Sequence, residues 1–237
     1  MKHTRINVFY FIIGILAVIL TCMTGTITNM NGRNYSVAEI AFSVSSQNST
    51  RYSWYTAFTA GLNSWIILLL PILVAIPTIP IFLDEQYTSF YRFSIGRIGL
   101  YNYIKRSYFR VILCGGLLIG MGLIIYALFT KCMFPIDAKY GALKAVGIQD
   151  SLLIQVKNMF ILILQMMLWG AAMSSCAWTF AGIFSSKYVV LSLPFLLNYI
   201  MQNIFLNHVV ASSFFFLILS IAVGFQIWKY RVREVGI

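Results

Sequence analysis

Six apolar stretches alternate with polar segments along the chain, at residues 8–27, 55–82, 111–129, 157–183, 189–206 and 212–228. An α-helix rises about 1.5 Å per residue, so about twenty apolar residues cross the hydrocarbon core of a bilayer. The pattern therefore predicts an all-α, polytopic membrane protein with six transmembrane helices. We expect these helices to form a single transmembrane domain over residues 1–237.

Composition points to the same class of protein. Hydrophobic residues make up 60% of the chain, charged residues make up 10%, and the mean hydropathy is +0.83. Soluble domains usually carry about 25% charged residues. A net charge of +11 would suggest nucleic-acid binding in a soluble protein, but here the basic residues lie between the apolar stretches. This placement indicates orientation in a lipid bilayer, and no nucleic-acid partner is expected.

The distribution of basic residues predicts the orientation. Eleven of the seventeen Lys and Arg residues lie in segments 1–7, 83–110, 185–188 and 229–237. Basic residues concentrate in short cytoplasmic loops. Both termini and the loop between the second and third helices are therefore predicted to be cytoplasmic.

This loop, residues 83–110, also has a helical pattern. Leu83, Tyr87 and Phe90 fall on one side of a helix with Tyr91 and Ser94. The pattern predicts a short amphipathic helix with Asp84 and Glu85 in its first turn, where the helix dipole favours acidic residues. Gly96 and Gly99 should interrupt it before a second helix enters the third span. The alternative is a solvated loop whose role is only to set the orientation of the protein in the membrane.

Local features predict details of other segments. Pro71, Pro77 and Pro80 predict a kink in the second span towards its inner end. Gly116 and Gly120 lie four residues apart in the third span, a spacing that allows close approach of another helix. Residues 36–42 are predicted to form a short surface helix outside the membrane.

The sequence lacks the common catalytic and metal-binding patterns. It has two histidines and four cysteines without metal-ligand spacing, and no acidic residue lies deep in a predicted span. No G-x-x-x-x-G-K-[ST] motif for ATP is present. We therefore expect no catalytic, cofactor-binding or metal-binding residues. An ion channel or secondary porter, and then an intramembrane enzyme, remain the alternatives to a conformational role.

Uncharged polar residues do occur inside the spans. Asn198 and Gln202 share a helix face, and Gln165 lies at a similar depth on the preceding span. They could line a path for an amphipathic substrate. The favoured interpretation is that they form hydrogen bonds between helices.

The segment from Phe82 to Arg110 resembles a known family. Phe82-x-x-Glu85 ends a proline-containing span, and a short aromatic helix and an aromatic and basic run through Arg97 follow it. This arrangement resembles the permease subunit of bacterial ABC-2-type transporters, and the six-span layout fits that family.

The resemblance implies a multi-pass protein of the bacterial cytoplasmic membrane that exports a hydrophobic or amphipathic substrate. A peptide is the substrate class that it favours. It implies a dimer with a second copy or a related permease, and two copies of a separate ATPase subunit that binds ATP and Mg²⁺. This chain would bind no cofactor itself. The residues implied to contact the ATPase are Asp84, Glu85, Gln86, Tyr87, Ser89, Phe90, Tyr91, Arg92 and Phe93. The turn at residues 185–188 is predicted to face the same side, so we expect a second contact there, through Ser185, Ser186 and Lys187.

Overall fold

The computed structural model describes residues 7–28, 34–42, 53–88, 90–134, 152–204 and 209–234. Most of these residues are helical. The helices are α1 (Val8–Met23), α2 (Val37–Phe42), α3 (Trp54–Leu62), α4 (Ile66–Ala75), α5 (Ile79–Tyr87), α6 (Phe90–Ile98), α7 (Leu100–Met133), α8 (Leu152–Ile183), α9 (Lys187–Ile204) and α10 (Val209–Glu234). Strands β1 (Thr26–Thr28) and β2 (Asn34–Ser36) form an antiparallel pair.

Within the described residues, four helical segments are long and apolar enough to cross a membrane: Ile66–Glu85, Leu100–Met133, Leu152–Ile183 and Ser212–Tyr230. They correspond to the second, third, fourth and sixth predicted spans, which confirms a mostly helical protein of the membrane class. Two shorter apolar helices, Val8–Met23 and Lys187–Ile200, lie at the first and fifth predicted spans. The count of six spans and the side on which the termini lie stay predictions.

The second predicted span is divided into three helices. Residues 76–78 separate α4 from α5, so the helix is interrupted at Pro77, close to the end of the span at which a kink was predicted. Pro71 lies inside α4, while Pro80 lies in the first turn of α5, where a missing backbone N–H costs no helical hydrogen bond. A further break at residues 63–65 was not predicted.

The predicted position of Asp84 and Glu85 in the first turn of a separate helix is wrong. Both residues lie in the last turn of α5, because nothing in the sequence from Phe82 to Tyr87 stops the helix. The separate helix is α6. The predicted interruption at Gly96 is wrong: this residue lies within α6, because a single glycine weakens a helix without ending it. Gly99, with φ of 85°, separates α6 from α7. The helix α7 then carries the basic residues directly into the third span, as predicted.

Close contacts divide the chain into two compact units. The first is drawn from Met1–Gly14, Leu68–Ile119 and Gln165–Ile237, and the second from Ile15–Ile67 and Gly120–Leu164. Each unit has its own buried apolar core.

The core of the first unit contains five packed aromatic side chains on α5, α7, α8 and α10. We call them the aromatic cluster: Phe82, Tyr103, Tyr108, Trp178 and Trp228. The Trp178 and Trp228 rings stack with centroids 5.6 Å apart, and the Phe82 ring centroid lies 3.8 Å from that of Trp178. Phe82 thereby attaches the end of α5 to α8 and α10.

A buried polar network lies in the same unit. The Tyr108 hydroxyl is 2.9 Å from Thr179 Oγ1 and 3.1 Å from the carbonyl oxygen of Ser220. Ser175 Oγ and Ser220 Oγ are 2.6 Å apart. The network joins α7, α8 and α10 and satisfies polar groups that would be costly to leave unpaired in an apolar interior.

The second unit contains the β1–β2 pair and the short helix α2, which confirms the helix predicted at residues 36–42. The backbone N–H of Glu39 donates to Ser36 Oγ at 3.1 Å, and the backbone N–H of Ser36 donates to Glu39 Oε2 at 2.9 Å. This reciprocal pair is a capping box, which satisfies donors at the start of a helix. The strand pair was not predicted.

Candidate coupling surface

The two segments implied to contact an ATPase lie against each other. Lys187 Nζ is 2.6 Å from Asp84 Oδ1, and the Tyr87 hydroxyl donates to the carbonyl oxygen of Ser185 at 2.9 Å. Asp84 and Tyr87 are three residues apart on α5 and therefore share a helix face. The end of α5 is thus held against the connection that precedes α9.

Helix electrostatics explain why Asp84 and Lys187 pair. Asp84 lies at the negative end of the α5 dipole, and Lys187 lies at the positive end of the α9 dipole. Each position is unfavourable for the charge it carries. The opposite charge compensates, and the hydrogen bond with Asp84 raises the pKa of the Lys187 ammonium. Both side chains are well exposed, so the ion pair contributes little to the free energy of folding.

Each of the three helices α5, α6 and α9 carries an exposed aromatic side chain in these segments. Tyr87 is 65% exposed, Phe93 is 77% exposed and Tyr188 is 86% exposed. The helix α6 buries Ile95 in the core of the first unit and exposes Arg92 and Phe93. Aromatic and Arg side chains are enriched in the buried centres of protein interfaces.

We call this region the coupling surface. It consists of Asp84, Tyr87, Arg92, Phe93, Ser185, Ser186, Lys187 and Tyr188. Ser89 lies outside the described residues, as do the side chains of Gln86, Phe90 and Tyr91. The implied roles of these four residues stay predictions.

Glu85 lies behind the coupling surface instead of on it. It is half-buried and, with Arg110, lines a cavity of about 30 Å³ in the first unit. Phe82, one turn earlier, is buried in the aromatic cluster. The two residues of the F-x-x-E pattern therefore face the interior, as does Leu83 between them, whereas Asp84 faces outward.

The structure describes the side chains of two of the three uncharged polar residues that were singled out inside the spans. Asn198 is fully buried, and its Oδ1 accepts a hydrogen bond of 2.9 Å from the Trp169 indole N–H. This is the interhelical hydrogen bond that the favoured interpretation expects. Gln165 is half-buried, and the side chain of Gln202 lies outside the described residues. The sequence did not predict Trp169 as the partner of Asn198. It offers only the general expectation that a buried indole N–H needs a hydrogen-bond acceptor.

Glycines bring α7 and α8 close together. A Cβ atom at Gly116 would lie 3.4 Å from the carbonyl oxygen of Met167, an ordinary contact. At Gly115 it would lie 2.5 Å from Ser174 Oγ, which is too close. The tightest approach is therefore one residue before the predicted Gly116, while Gly120 is also buried. The four-residue spacing alone did not reveal Gly115.

Within the described part of the chain, no group of three or more His, Cys, Asp or Glu side chains is arranged to hold a metal ion. A scan against protein-family models, a search of curated proteins and a search of solved structures each found no match. Function is therefore inferred from the arrangement of the residues themselves.

Proposed function

We propose that this chain is the membrane-spanning permease of an ATP-driven ABC exporter in a bacterial cytoplasmic membrane. A separate ATPase subunit, in two copies, would bind ATP and Mg²⁺, and a second copy or a related permease would complete the pair. The observation that carries the proposal is the coupling surface. The two segments that were predicted to contact the ATPase, one from the resemblance and one from its expected side of the membrane, are joined by the Asp84–Lys187 and Tyr87–Ser185 contacts.

The packing behind the coupling surface supports a mechanical role. A partner that moves α6 would also move α5, because Ile95 and Leu83 belong to the same buried core. Phe82 would pass that movement to Trp178 and Trp228, since close-packed interiors transmit strain. The break at residues 76–78 provides a point at which α5 can change its tilt.

The proposed substrate is hydrophobic or amphipathic, and a peptide is the favoured class. Residues 111–130 and 158–186 contain no charged side chain. A binding path built from such helices offers apolar contacts and a few neutral polar groups. Ionisable groups inside spans are the usual mark of ion-coupled transport, so their absence from these segments favours an externally powered mechanism.

The direct test is to purify the protein from its native membrane in mild detergent and to identify companions by mass spectrometry. We expect a stoichiometric companion that carries G-x-x-x-x-G-K-[ST] and hydrolyses ATP. A chain that elutes alone, in a preparation without ATPase activity, would contradict the proposal.

A matched pair of variants locates the contact. Phe93→Ala removes an exposed ring from the coupling surface and should release the ATPase. Phe109→Ala removes an exposed ring from α7, outside that surface, and should retain it. If both variants retain the ATPase equally, the contact lies elsewhere on the chain.

A further inference from the structure

One side of α7 stays exposed while it changes from apolar to basic. Five exposed residues recur at intervals of three or four and therefore lie along this side of the helix: Asn102, Arg106, Phe109, Leu113 and Leu117. Lys105, beside Arg106, is also exposed. An apolar surface that suits contact with lipid chains thus continues directly into a surface that carries two positive charges.

The neighbouring helix α10 shows the same change on its exposed side. Its exposed residues at this spacing are Phe215, Ile218, Ala222, Gln226 and Lys229. The Tyr101 ring of α7 meets the Phe225 ring of α10 edge to face, with centroids 6.0 Å apart. Lys105 lies one turn from Tyr101, and Lys229 lies one turn from Phe225, so the two ammonium groups flank this ring contact.

Two contacts fix the heights of these basic residues relative to one another. The Tyr108 hydroxyl donates to the carbonyl oxygen of Ser220, next to the apolar part of both helices. The Tyr103 and Trp228 ring centroids lie 6.4 Å apart, near the polar part of both helices. Lys105 and Arg106 fall between these contacts along α7, and Lys229 directly follows Trp228 on α10. The three side chains therefore begin within about 10 Å of one another in height.

The charge of this region suits an anionic partner. Residues 86–110 contain five Lys and Arg residues and no Asp or Glu. Arg110 is not counted in the layer, because it lines the cavity beside Glu85. Clusters of Lys and Arg next to a membrane span attract anionic phospholipids, since the headgroup layer of such lipids is negatively charged. Charge and position along the helices therefore indicate the same kind of partner.

We propose that the exposed side of α7 and α10 binds an anionic phospholipid of the surrounding bilayer. The phosphate lies against Lys105, Arg106 and Lys229, and the acyl chains lie along the apolar residues that continue the same side of α7. A zwitterionic lipid binds more weakly, because its ammonium group offsets the charge of its phosphate. This binding does not depend on the proposed transport function, since it requires only that the two helices enter a bilayer.

Native mass spectrometry of the detergent-purified full chain tests the proposal. The protein is titrated separately with phosphatidylglycerol, with phosphatidylethanolamine of the same acyl chains, and with the soluble headgroup glycerophosphoglycerol. We expect phosphatidylglycerol to be retained most strongly. Equal retention of the two lipids would overturn the proposal. Binding of the soluble headgroup as tightly as the lipid would also overturn it, because this would indicate a site for a small solute.

A matched pair of exposed charges assigns the binding to this side of the helices. Arg106→Gln should lower the affinity for phosphatidylglycerol about fivefold, and adding Lys105→Gln should lower it about fivefold again. Lys157→Gln removes one exposed charge from α8, in the second unit, and should bind as the wild type does. Equal losses in Arg106→Gln and Lys157→Gln would overturn the proposal, because net charge alone would then govern binding.

The double variant separates a lipid from a protein partner. Wild-type affinity for phosphatidylglycerol in Lys105→Gln/Arg106→Gln would overturn the proposal. If that variant also lost a co-purifying ATPase, the same side of α7 would be assigned to a protein contact. All three positions are exposed, so these substitutions should leave the fold intact.

Discussion

Gly224 provides a sharp test of the packing among α7, α8 and α10. A Cβ atom at this position would overlap the Tyr108 hydroxyl and would lie 2.9 Å from both Tyr108 Cζ and Thr179 Oγ1. Tyr108 cannot move away freely, because its hydroxyl also contacts Thr179 and the carbonyl oxygen of Ser220. Gly224→Ala should therefore destabilise the protein through overpacking, which typically costs about 1–3 kcal/mol.

A second substitution should partly relieve this overlap. Tyr108→Phe removes the overlapping oxygen and, as a single variant, should cost about 0.6 kcal/mol, the typical value for a hydrogen bond between membrane helices. If the two changes were independent, the double variant would lose about 1.6–3.6 kcal/mol. Because the oxygen is gone, the double variant should lose at least about 0.5 kcal/mol less than this sum. Relief is incomplete, since Cζ of the ring remains 2.9 Å from the added carbon.

The assay is a double-mutant cycle. The wild type, the two single variants and the double variant are unfolded by SDS in mixed micelles, and helix content is followed by circular dichroism. Free energies of unfolding that add within about 0.3 kcal/mol would refute the reasoning, because distant and independent sites behave in that way. Additivity would mean that Gly224 does not face Tyr108.

Three further outcomes are expected. Gly96→Ala should leave the free energy of unfolding unchanged or raise it by up to about 1 kcal/mol, because Gly96 lies in a helix and an added Cβ meets no atom within 4 Å. Gly99→Ala should lower the free energy of unfolding, because φ at this residue is 85°. A thermal melt in which Gly99→Ala is the more stable of the two would contradict the backbone geometry. Asn198→Ala should cost about 0.6–1.7 kcal/mol in SDS unfolding and leave substrate-stimulated ATPase activity intact, and a selective loss of activity would instead favour the substrate-path interpretation. In a cysteine-free background, an impermeant maleimide added to intact cells should label Asn34→Cys and leave Tyr188→Cys unlabelled; the opposite pattern would reverse the predicted topology.

Local sequence properties account for much of the helical layout. Apolar length is a local quantity, so four of the predicted spans coincide with helices that are long and apolar enough to cross a membrane. Pro71, Pro77 and Pro80 predicted a kink towards one end of the second span, and the helix is interrupted there at residues 76–78, because proline removes a backbone donor whatever surrounds it. Of the two glycines predicted to interrupt the next helix, Gly99 does so and Gly96 does not. The capping box at Ser36 and Glu39 is equally local.

The error at Asp84 and Glu85 has a physical explanation. Acidic residues favour the first turn of a helix by a few tenths of a kcal/mol up to about 1 kcal/mol. That preference is too weak to start a new helix where no residue ends the preceding one. The tertiary contact with Lys187 compensates for the unfavourable position of Asp84 at the end of α5.

By itself, the sequence determined the membrane class, the approximate helices and the two segments that make up most of the coupling surface. Only the tertiary structure decided that these segments meet, through a hydrogen bond between residues 98 positions apart. It also decided that Phe82 and Glu85 face inward, and that Trp178 and Arg110 share a cavity. Helix periodicity specifies which side chains share a face, but the partner of each face depends on the packing of helices that are distant in sequence.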